Sequence, residues 1–268
     1  VSSAASDVYT RQGNYLYAQL DEITDSDIPL AEFITSVIGE ADRRDAKLII
    51  DVRQNFGGSG DLNKTLVMAL IQNEKLNQYD RTFVLTGRRT FSAAQMLVNE
   101  LERYTRVSFV GEPTGSRPDH FGDPKKIRLE NSGLTLRVSR LHWSSYSAFD
   151  ERAATYPDFP VQWNARDFYS GRDPALERAV SLGPFTLEEL VRDALRKEDL
   201  HRAARYLLDS KRAPDTWSRD LSGTLLALGN EFAEKKETRP SSLAYRLGLY
   251  LYPGNSEFEE ALDALQPD

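Results

Sequence analysis

Apolar positions in the first half of the chain follow two alternating spacings, and this pattern predicts strands separated by helices. Residues 47–52 and 82–86 are short, nearly continuous apolar runs, which are typical of strands covered on both faces. Over residues 29–44 the apolar positions recur every three or four residues, which indicates an amphipathic helix. A β-α-β-α order implies right-handed crossovers and a mainly parallel sheet. The predicted strands cover residues 15–20, 47–52, 82–86 and 107–111, and the predicted helices cover residues 29–44, 61–75 and 92–104.

The middle of the chain has a different pattern. Residues 112–123 are rich in Gly, Pro and polar side chains and predict a loop. Residues 126–130 and 134–139 flank a short Asn-Ser-Gly turn and predict a β-hairpin added to the sheet. Residues 146–171 are aromatic and aperiodic, and an Asp-Pro pair at 173–174 then marks a helix start.

Every segment after residue 183 has a helical pattern, so we predict two domains: an α/β domain over residues 1–182 and a smaller all-α domain over residues 183–268. Ala204 and Ala244 lie 40 positions apart, which is within the period of stacked helical hairpins and favours a TPR-like arrangement. The predicted helices of this part include residues 200–210, 217–236, 241–252 and 256–265.

Composition excludes several classes of function. The 268 residues carry 34 Lys and Arg against 41 Asp and Glu, a net charge of -7, which argues against a nucleic-acid surface. The absence of Cys excludes thiolate nucleophiles and disulfides. No run approaches the roughly 18 apolar residues of a membrane span. The chain begins at Val1 without a secretory signal, which we interpret as a processed or truncated chain.

Two strand ends carry the candidate chemistry. Gly57 and Gly58 follow the strand at 47–52, and Ser92 begins the helix that follows the strand at 82–86. A serine at a helix N-terminus offers a hydroxyl beside free N–H groups, and a Gly-Gly turn can approach it without a side chain in the way. Each feature alone is common as an N-cap or a tight turn. Together, on successive βα units, they favour acyl-transfer chemistry.

Several ordered motifs carry a family resemblance. Residues 51–58 read Asp-x-Arg-x-Asn-x-Gly-Gly, residues 92–94 read Ser-Ala-Ala, and residues 110–115 read Val-Gly-Glu-Pro-Thr-Gly. In these motifs the chain resembles the tail-specific, or carboxyl-terminal-processing, serine peptidases over roughly residues 15–180. The resemblance implies a crotonase-like α/β fold and no cofactor. It also implies Ser92 as the nucleophile, and an oxyanion hole formed by the Gly57/Gly58 turn and the Ala93 N–H.

The general base departs from the family pattern. Common members have a lysine 25 positions after the serine, where this chain has Arg117. A guanidinium stays protonated and cannot accept the serine proton. His120 is the nearest substitute, because histidine titrates near neutral pH; Lys125, Lys126 and a residue upstream of Val1 are the alternatives.

We expect His142 to be structural and His201 to be solvated. Candidate acids for a Ser-His-acid arrangement are Glu112, Asp119, Asp150 and Glu151.

Arg117 itself suggests substrate binding, because a guanidinium can hold a terminal carboxylate with two hydrogen bonds. The alternative is a surface arginine paired with Asp119. A group of aromatic residues either lines a peptide groove or covers the sheet edge and the helical domain. This group comprises Trp143, Tyr146, Phe149, Tyr156, Phe159, Trp163, Phe168 and Tyr169.

The sequence therefore predicts a serine peptidase that cleaves a peptide or protein substrate near its carboxyl end, with no metal, no cofactor and no nucleic-acid partner. One alternative is a non-catalytic peptide- or ligand-binding relative of the same fold. Another is a scaffold whose helical tail binds a protein partner. The resemblance implies a periplasmic, secreted or cell-envelope setting, with the cytoplasm as the alternative. The export signal and PDZ module that many family members carry are absent from the sequence.

Overall fold

The computed structural model describes residues 6–9, 14–144, 150–210 and 220–265. The chain divides into two compact units, residues 1–183 and residues 184–268. Within these described ranges, none of the helices combines the length and the apolar character that a membrane crossing requires.

The first unit is built on a six-stranded sheet in the order β1-β2-β3-β4-β5-β8, and a separate two-stranded hairpin joins β6 to β7. Strand β1 is antiparallel to β2, and the other neighbours in the large sheet are parallel. This arrangement confirms the predicted mainly parallel α/β fold with an added hairpin. The strands are β1 (Ser6–Tyr9), β2 (Tyr15–Leu20), β3 (Lys47–Asp51), β4 (Thr82–Thr86), β5 (Ser108–Gly111), β6 (His120–Arg128), β7 (Thr135–Trp143) and β8 (Phe159–Pro160).

Among the described residues, five α-helices accompany the sheet. On α1, apolar side chains at helical spacing are buried, among them Phe33, Val37 and Ala41, and each large one contributes about 1.5–3 kcal/mol of burial free energy. Helix α4 lies in a segment whose pattern predicts no helix; it is set by a capping box between Asn164 and Asp167. The helices are α1 (Leu30–Arg43), α2 (Asn63–Ile71), α3 (Ala93–Tyr104), α4 (Ala165–Ser170) and α5 (Pro174–Ser181).

The hairpin is longer than the sequence pattern predicts. Its cross-strand pairs run from His120 opposite Trp143 to Arg128 opposite Thr135, so the ladder continues into residues that a Gly- and Pro-rich composition marks as loop. Pro124 is tolerated because a two-stranded sheet has free edges on which the missing N–H costs no ladder bond. This extension places His120 at the start of a strand.

The second unit contains only helices among its described residues. Helix α6 begins with a capping box between Thr186 and Glu189. Close packing within the unit rests on Gly229, which lies against the Tyr245 ring, and on Gly248, which lies against Phe258. The TPR-like relation stays a prediction, and residues 217–219 of one predicted helix lie outside the described residues. The helices are α6 (Leu187–Arg196), α7 (Leu200–Ser210), α8 (Ser222–Glu234), α9 (Thr238–Leu251) and α10 (Ser256–Asp263).

Candidate active site

Three neighbouring parallel strands bring the candidate residues to one edge of the sheet. Strands β3, β4 and β5 are adjacent, and each is followed at its carboxyl end by one of the segments singled out in the sequence. In open α/β sheets this edge is where ligands bind. The Gly-Gly turn follows β3, the Ser92 loop follows β4, and the loop with Arg117 follows β5.

The Gly-Gly turn is held by one asparagine and by a neighbouring main chain. The Asn55 side chain accepts a hydrogen bond from the Gly57 N–H at 2.9 Å and donates one to the Leu20 carbonyl at 2.9 Å. The Ile23 carbonyl is so close that a Cβ at Gly58 would lie 2.1 Å from its oxygen. Both glycines have positive φ, 120° at Gly57 and 132° at Gly58, which side chains disfavour. Glycine is therefore required at these positions.

A buried ionic cluster stabilises the base of this turn. The Arg53 guanidinium bridges Asp51 at 2.6 Å and Asp173 at 2.7 Å, and it lies over the Trp163 ring. The Tyr17 hydroxyl donates to Asp51 at 2.6 Å. Burial disfavours the charged form of Asp173, but the hydrogen bonds from Arg53 outweigh it and lower the pKa of this carboxyl. The Asp and Arg of the motif thus serve the structure of the turn.

The Ser92 loop is held against the turn by two hydrogen bonds to main-chain carbonyls. The Thr90 hydroxyl donates to the Val52 carbonyl at 2.8 Å, and the Phe91 N–H donates to the Asn55 carbonyl at 3.1 Å. Ser92 follows directly as the residue that caps α3. These bonds set the position of the serine relative to the two glycines.

Ser92 has the geometry of a strained strand-to-helix corner. Its φ of 55° lies in a region that residues other than glycine rarely adopt, and such strain concentrates at functional sites. A Cβ at Gly57 would lie 3.1 Å from Ser92 Oγ and 3.0 Å from the Ala93 nitrogen, so the glycine backbone packs directly against both. Since Asn55 takes the Gly57 N–H, the donors still available among the described residues are the N–H groups of Gly58 and Ala93.

His120 begins β6 and is almost completely buried, with 6% of its surface exposed. Its ring centroid is 6.0 Å from that of Phe91, the residue before Ser92. Nδ1 lies 3.3 Å from the Pro118 carbonyl, and Nε2 has no hydrogen-bond partner among the described residues. Burial lowers the pKa of His120 despite the Pro118 contact, which favours the neutral ring at neutral pH. No hydrogen bond joins the ring to Ser92 Oγ within the same residues.

An open cavity of about 490 Å³ lies beside His120. Arg117 is exposed at its wall, where Nη2 donates to the Glu151 carbonyl at 3.2 Å. Three of the candidate acids also line it. The lining residues are Phe91, Arg117, Asp119, His120, Phe121, His142, Asp150 and Glu151.

The remaining predicted residues are exposed, are paired with another side chain, or lie outside the described residues. Lys125 and Lys126 are exposed on β6. Glu112 pairs with Arg88 at 3.1 Å. His142 is exposed, with its ring 4.8 Å from that of Phe121. The predicted aromatic residues Tyr146 and Phe149, and any residue upstream of Val1, lie outside the described residues, and His201 is exposed on α7.

The sequence pattern does not predict a buried polar cluster on α3. The Gln95 side chain donates to Asn99 Oδ1 at 2.8 Å and to Thr155 Oγ1 at 2.9 Å, and Asn99 donates to the Pro118 carbonyl at 3.0 Å. The signal in the sequence is two amides four positions apart on a helix face that is otherwise apolar. Their partners lie on distant loops, and spacing alone cannot identify them.

Comparison with known proteins finds similarity only at the level of structure. No protein-family profile and no curated protein sequence matches the chain. The chain is similar to a candidate peptidase from Parabacteroides merdae ATCC 43184, with 20% identity over 66% of this chain and 63% of that one, at a TM-score of 0.48. A candidate S41 protease from Bacteroides fragilis NCTC 9343 has 15% identity over 65% and 56%, at 0.42. A photosystem II D1 C-terminal processing protease has 15% identity over 60% and 49%, at 0.39.

The matched part of the chain thus spans less than two thirds of each of these structures. Each of them is named as a peptidase or protease. The described residues include no group of three or more His, Asp or Glu side chains placed to hold a metal ion.

Proposed function

We propose that this protein is a serine hydrolase of the tail-specific peptidase type, which cleaves peptide bonds near the carboxyl ends of its substrates. The observation that carries the proposal is the direct packing of the Gly57 backbone on Ser92 Oγ and on the Ala93 nitrogen. It joins a strained serine and main-chain N–H donors at one point, which is what acyl transfer requires.

In the proposed reaction, Ser92 Oγ attacks the carbonyl carbon of the scissile bond and loses its proton to His120 Nε2. The developing oxyanion accepts hydrogen bonds from the Ala93 N–H and from the Gly57/Gly58 turn, whose available donor is the Gly58 N–H. The proton then passes to the leaving amine, and water later hydrolyses the acyl-enzyme by the same base. Removing one such oxyanion donor typically costs about 10²–10³ in rate.

His120 is the proposed base because its Nε2 is buried and has no partner among the described residues, and because its ring lies 6.0 Å from that of Phe91, the residue before Ser92. Hydrogen bonds between catalytic groups are often long without substrate and tighten when it binds. Lys125 and Lys126 are the alternatives on the same hairpin; both are exposed, whereas the Nε2 atom of His120 is buried and has no partner among the described residues. A base upstream of Val1 is the remaining alternative.

Arg117 is the proposed binding residue for the substrate's terminal carboxylate. Its guanidinium is exposed on the wall of the cavity beside His120 and is engaged there only by a main-chain carbonyl among the described residues. A free carboxylate would replace this neutral partner with a charged one, which makes a stronger hydrogen bond. The resemblance of the motifs to tail-specific peptidases extends the proposal to a cell-envelope or periplasmic setting, with the cytoplasm as the alternative.

The test is covalent labelling of the full chain by a fluorophosphonate probe, with the adduct located by mass spectrometry. We expect labelling at Ser92 in the wild type and none in Ser92→Ala. Ser59→Ala is the matched control, because this serine is exposed and also follows the Gly-Gly turn; it should keep the wild-type labelling. A folded wild-type chain that shows no adduct at Ser92 would contradict the proposal.

A non-catalytic peptide-binding relative is the second candidate, favoured by Arg117 at the lysine position and by the absence of a direct bond between Ser92 and His120 in the described residues. In that case peptides with a free carboxyl end would bind equally well to wild type and to Ser92→Ala, and neither would cleave them. A partner-binding role for the helical unit is the third candidate.

A further inference from the structure

The Pro118 carbonyl receives two side-chain contacts at once. Asn99 Nδ2 donates to it at 3.0 Å, and His120 Nδ1 lies 3.3 Å from the same oxygen. A carbonyl oxygen can only accept hydrogen bonds, so the contact with the ring requires a proton on Nδ1. In the neutral ring, Nε2 then carries the lone pair and can accept a proton.

The orientation of the Asn99 amide is set by a second amide. Gln95 Nε2 donates to Asn99 Oδ1 at 2.8 Å, so the Asn99 oxygen is occupied and its nitrogen faces Pro118. Gln95 is in turn fixed by Thr155, and Ser116 Oγ approaches its Oε1 at 3.4 Å. Gln95 is fully buried and Asn99 is 8% exposed, so water does not compete freely for these bonds.

Asn99 lies on the helix that Ser92 begins. Ser92 is the N-cap residue of α3, and Asn99 lies about two helical turns further along the same helix. A single rigid helix therefore carries the serine at its start and the amide that contacts the His120 loop two turns later. The positions of the serine and the histidine loop are coupled through this helix.

We infer that Asn99, oriented by Gln95, is a positioning residue that holds the Pro118 carbonyl against His120 Nδ1 and so fixes the ring in the tautomer with Nε2 free. In other serine–histidine pairs a carboxylate performs this orienting task. Here a neutral amide and a main-chain carbonyl perform it. The catalytic meaning of the inference rests on the proposed function, but the tautomer itself does not.

Titratable groups line the cavity beside the ring, and of these Asp119 raises and His142 lowers the pKa of His120. They come from its own loop, from β7 and from the segment after it: Arg117, Asp119, His142, Asp150 and Glu151. Because none of them is hydrogen-bonded to Nε2 among the described residues, the tautomer is decided at Nδ1.

The first measurement is the ¹⁵N spectrum of the histidine rings in the full wild-type chain at pH 7.5, with the His120 signals identified by their loss in His120→Gln. We expect the protonated nitrogen to be Nδ1. A ring protonated at Nε2 would overturn the inference, and unchanged signals of the other two histidines in His120→Gln would show that the variant is folded.

The second measurement uses Asn99→Asp, which keeps the acceptor for Gln95 and removes the donor to Pro118. We expect the ring to shift toward a mixture of tautomers and Ser92 labelling to slow about tenfold or more, since a wrong tautomer removes the base. Asn99→Leu, which has a similar volume, should behave the same way. Ser116→Ala is the control, because it removes only the 3.4 Å contact and should leave the tautomer unchanged.

The outcomes separate the two proposals. Both Asn99 variants are first shown by circular dichroism to be folded. If Ser92 is labelled in the wild type, and both variants keep the wild-type His120 tautomer and labelling rate, the positioning role is wrong and the hydrolase proposal stands. If Ser92 never labels but the tautomer changes in the variants, the positioning role stands and the hydrolase proposal fails.

Discussion

The two loops that flank Ser92 are fixed by different kinds of interaction. The turn after β3 is held by its own motif: Asn55 caps it, Arg53 anchors its base, and the Ile23 main chain fills the space beside Gly58. The loop after β5 is held near its start by main-chain hydrogen bonds of Thr114 and Gly115. Its end next to His120 is contacted by two neutral amides, Gln95 at Ser116 and Asn99 at Pro118. The oxyanion side is therefore sterically constrained, whereas the end of the loop next to His120 is contacted by amide hydrogen bonds that single substitutions can remove.

The largest change in the free energy of unfolding should come from a substitution in the constrained turn. In Gly58→Ala the new Cβ would lie 2.1 Å from the Ile23 oxygen at a φ of 132°. Backbone strain and overpacking each cost about 1–3 kcal/mol, so we expect the free energy of unfolding to fall by about 4 kcal/mol. Urea unfolding followed by circular dichroism measures this change.

Gly39→Ala is the matched control for the turn, because Gly39 is inside helix α1 and a Cβ added there would meet no other atom within 4 Å. We expect it to stabilise the chain by about 0.5–1 kcal/mol, the usual gain of alanine over glycine in a helix. Equal effects of the two substitutions would show that the turn is not sterically constrained.

The same contrast explains what the sequence could predict. The Gly57/Gly58 turn and Ser92 are recognisable because their functional groups are main-chain N–H groups and one hydroxyl, placed by residues adjacent in sequence. The order of strands and helices along the chain and the α/β class follow from local periodicity. The role of Gln95 could not be predicted, because its partner Thr155 is 60 residues away. The sequence does not predict that His120 begins a strand, because Gly122 and Pro124 at the start of β6 are residue types typical of loops.

A smaller change in the free energy of unfolding should come from a substitution in the amide cluster beside the loop after β5. Gln95→Leu keeps the side-chain volume but leaves Thr155 Oγ1 and Asn99 Oδ1 without their donor. A buried polar atom left unpaired costs about 1–3 kcal/mol, so we expect a loss of about 2 kcal/mol in the free energy of unfolding, measured by urea titration.

Gln72→Leu provides the comparison, since Gln72 is exposed at the end of α2 and surface changes usually stay within about 0.5 kcal/mol. If Gln95→Leu proved as mild as this control, the amide cluster would not be what holds the loop after β5.

The smallest effect is a pH dependence confined to the loop side. Burial lowers the pKa of His120 below its ordinary value of about 6.5. Below pH 6.5 the unfolded chain binds a proton that the folded chain refuses, so stability rises with pH in this window. The contribution is complete above pH 6.5 and is lost as pH falls through the lowered pKa of the folded state. His120→Gln should therefore reduce the loss of unfolding free energy between pH 7 and pH 5, whereas His142→Gln, at an exposed position on the same hairpin, should leave the His120 contribution in place. A wild type and a His120→Gln variant with identical pH dependence would mean that the ring is solvated, and the loop after β5 would then be looser than the contacts of Asn99 and Gln95 imply.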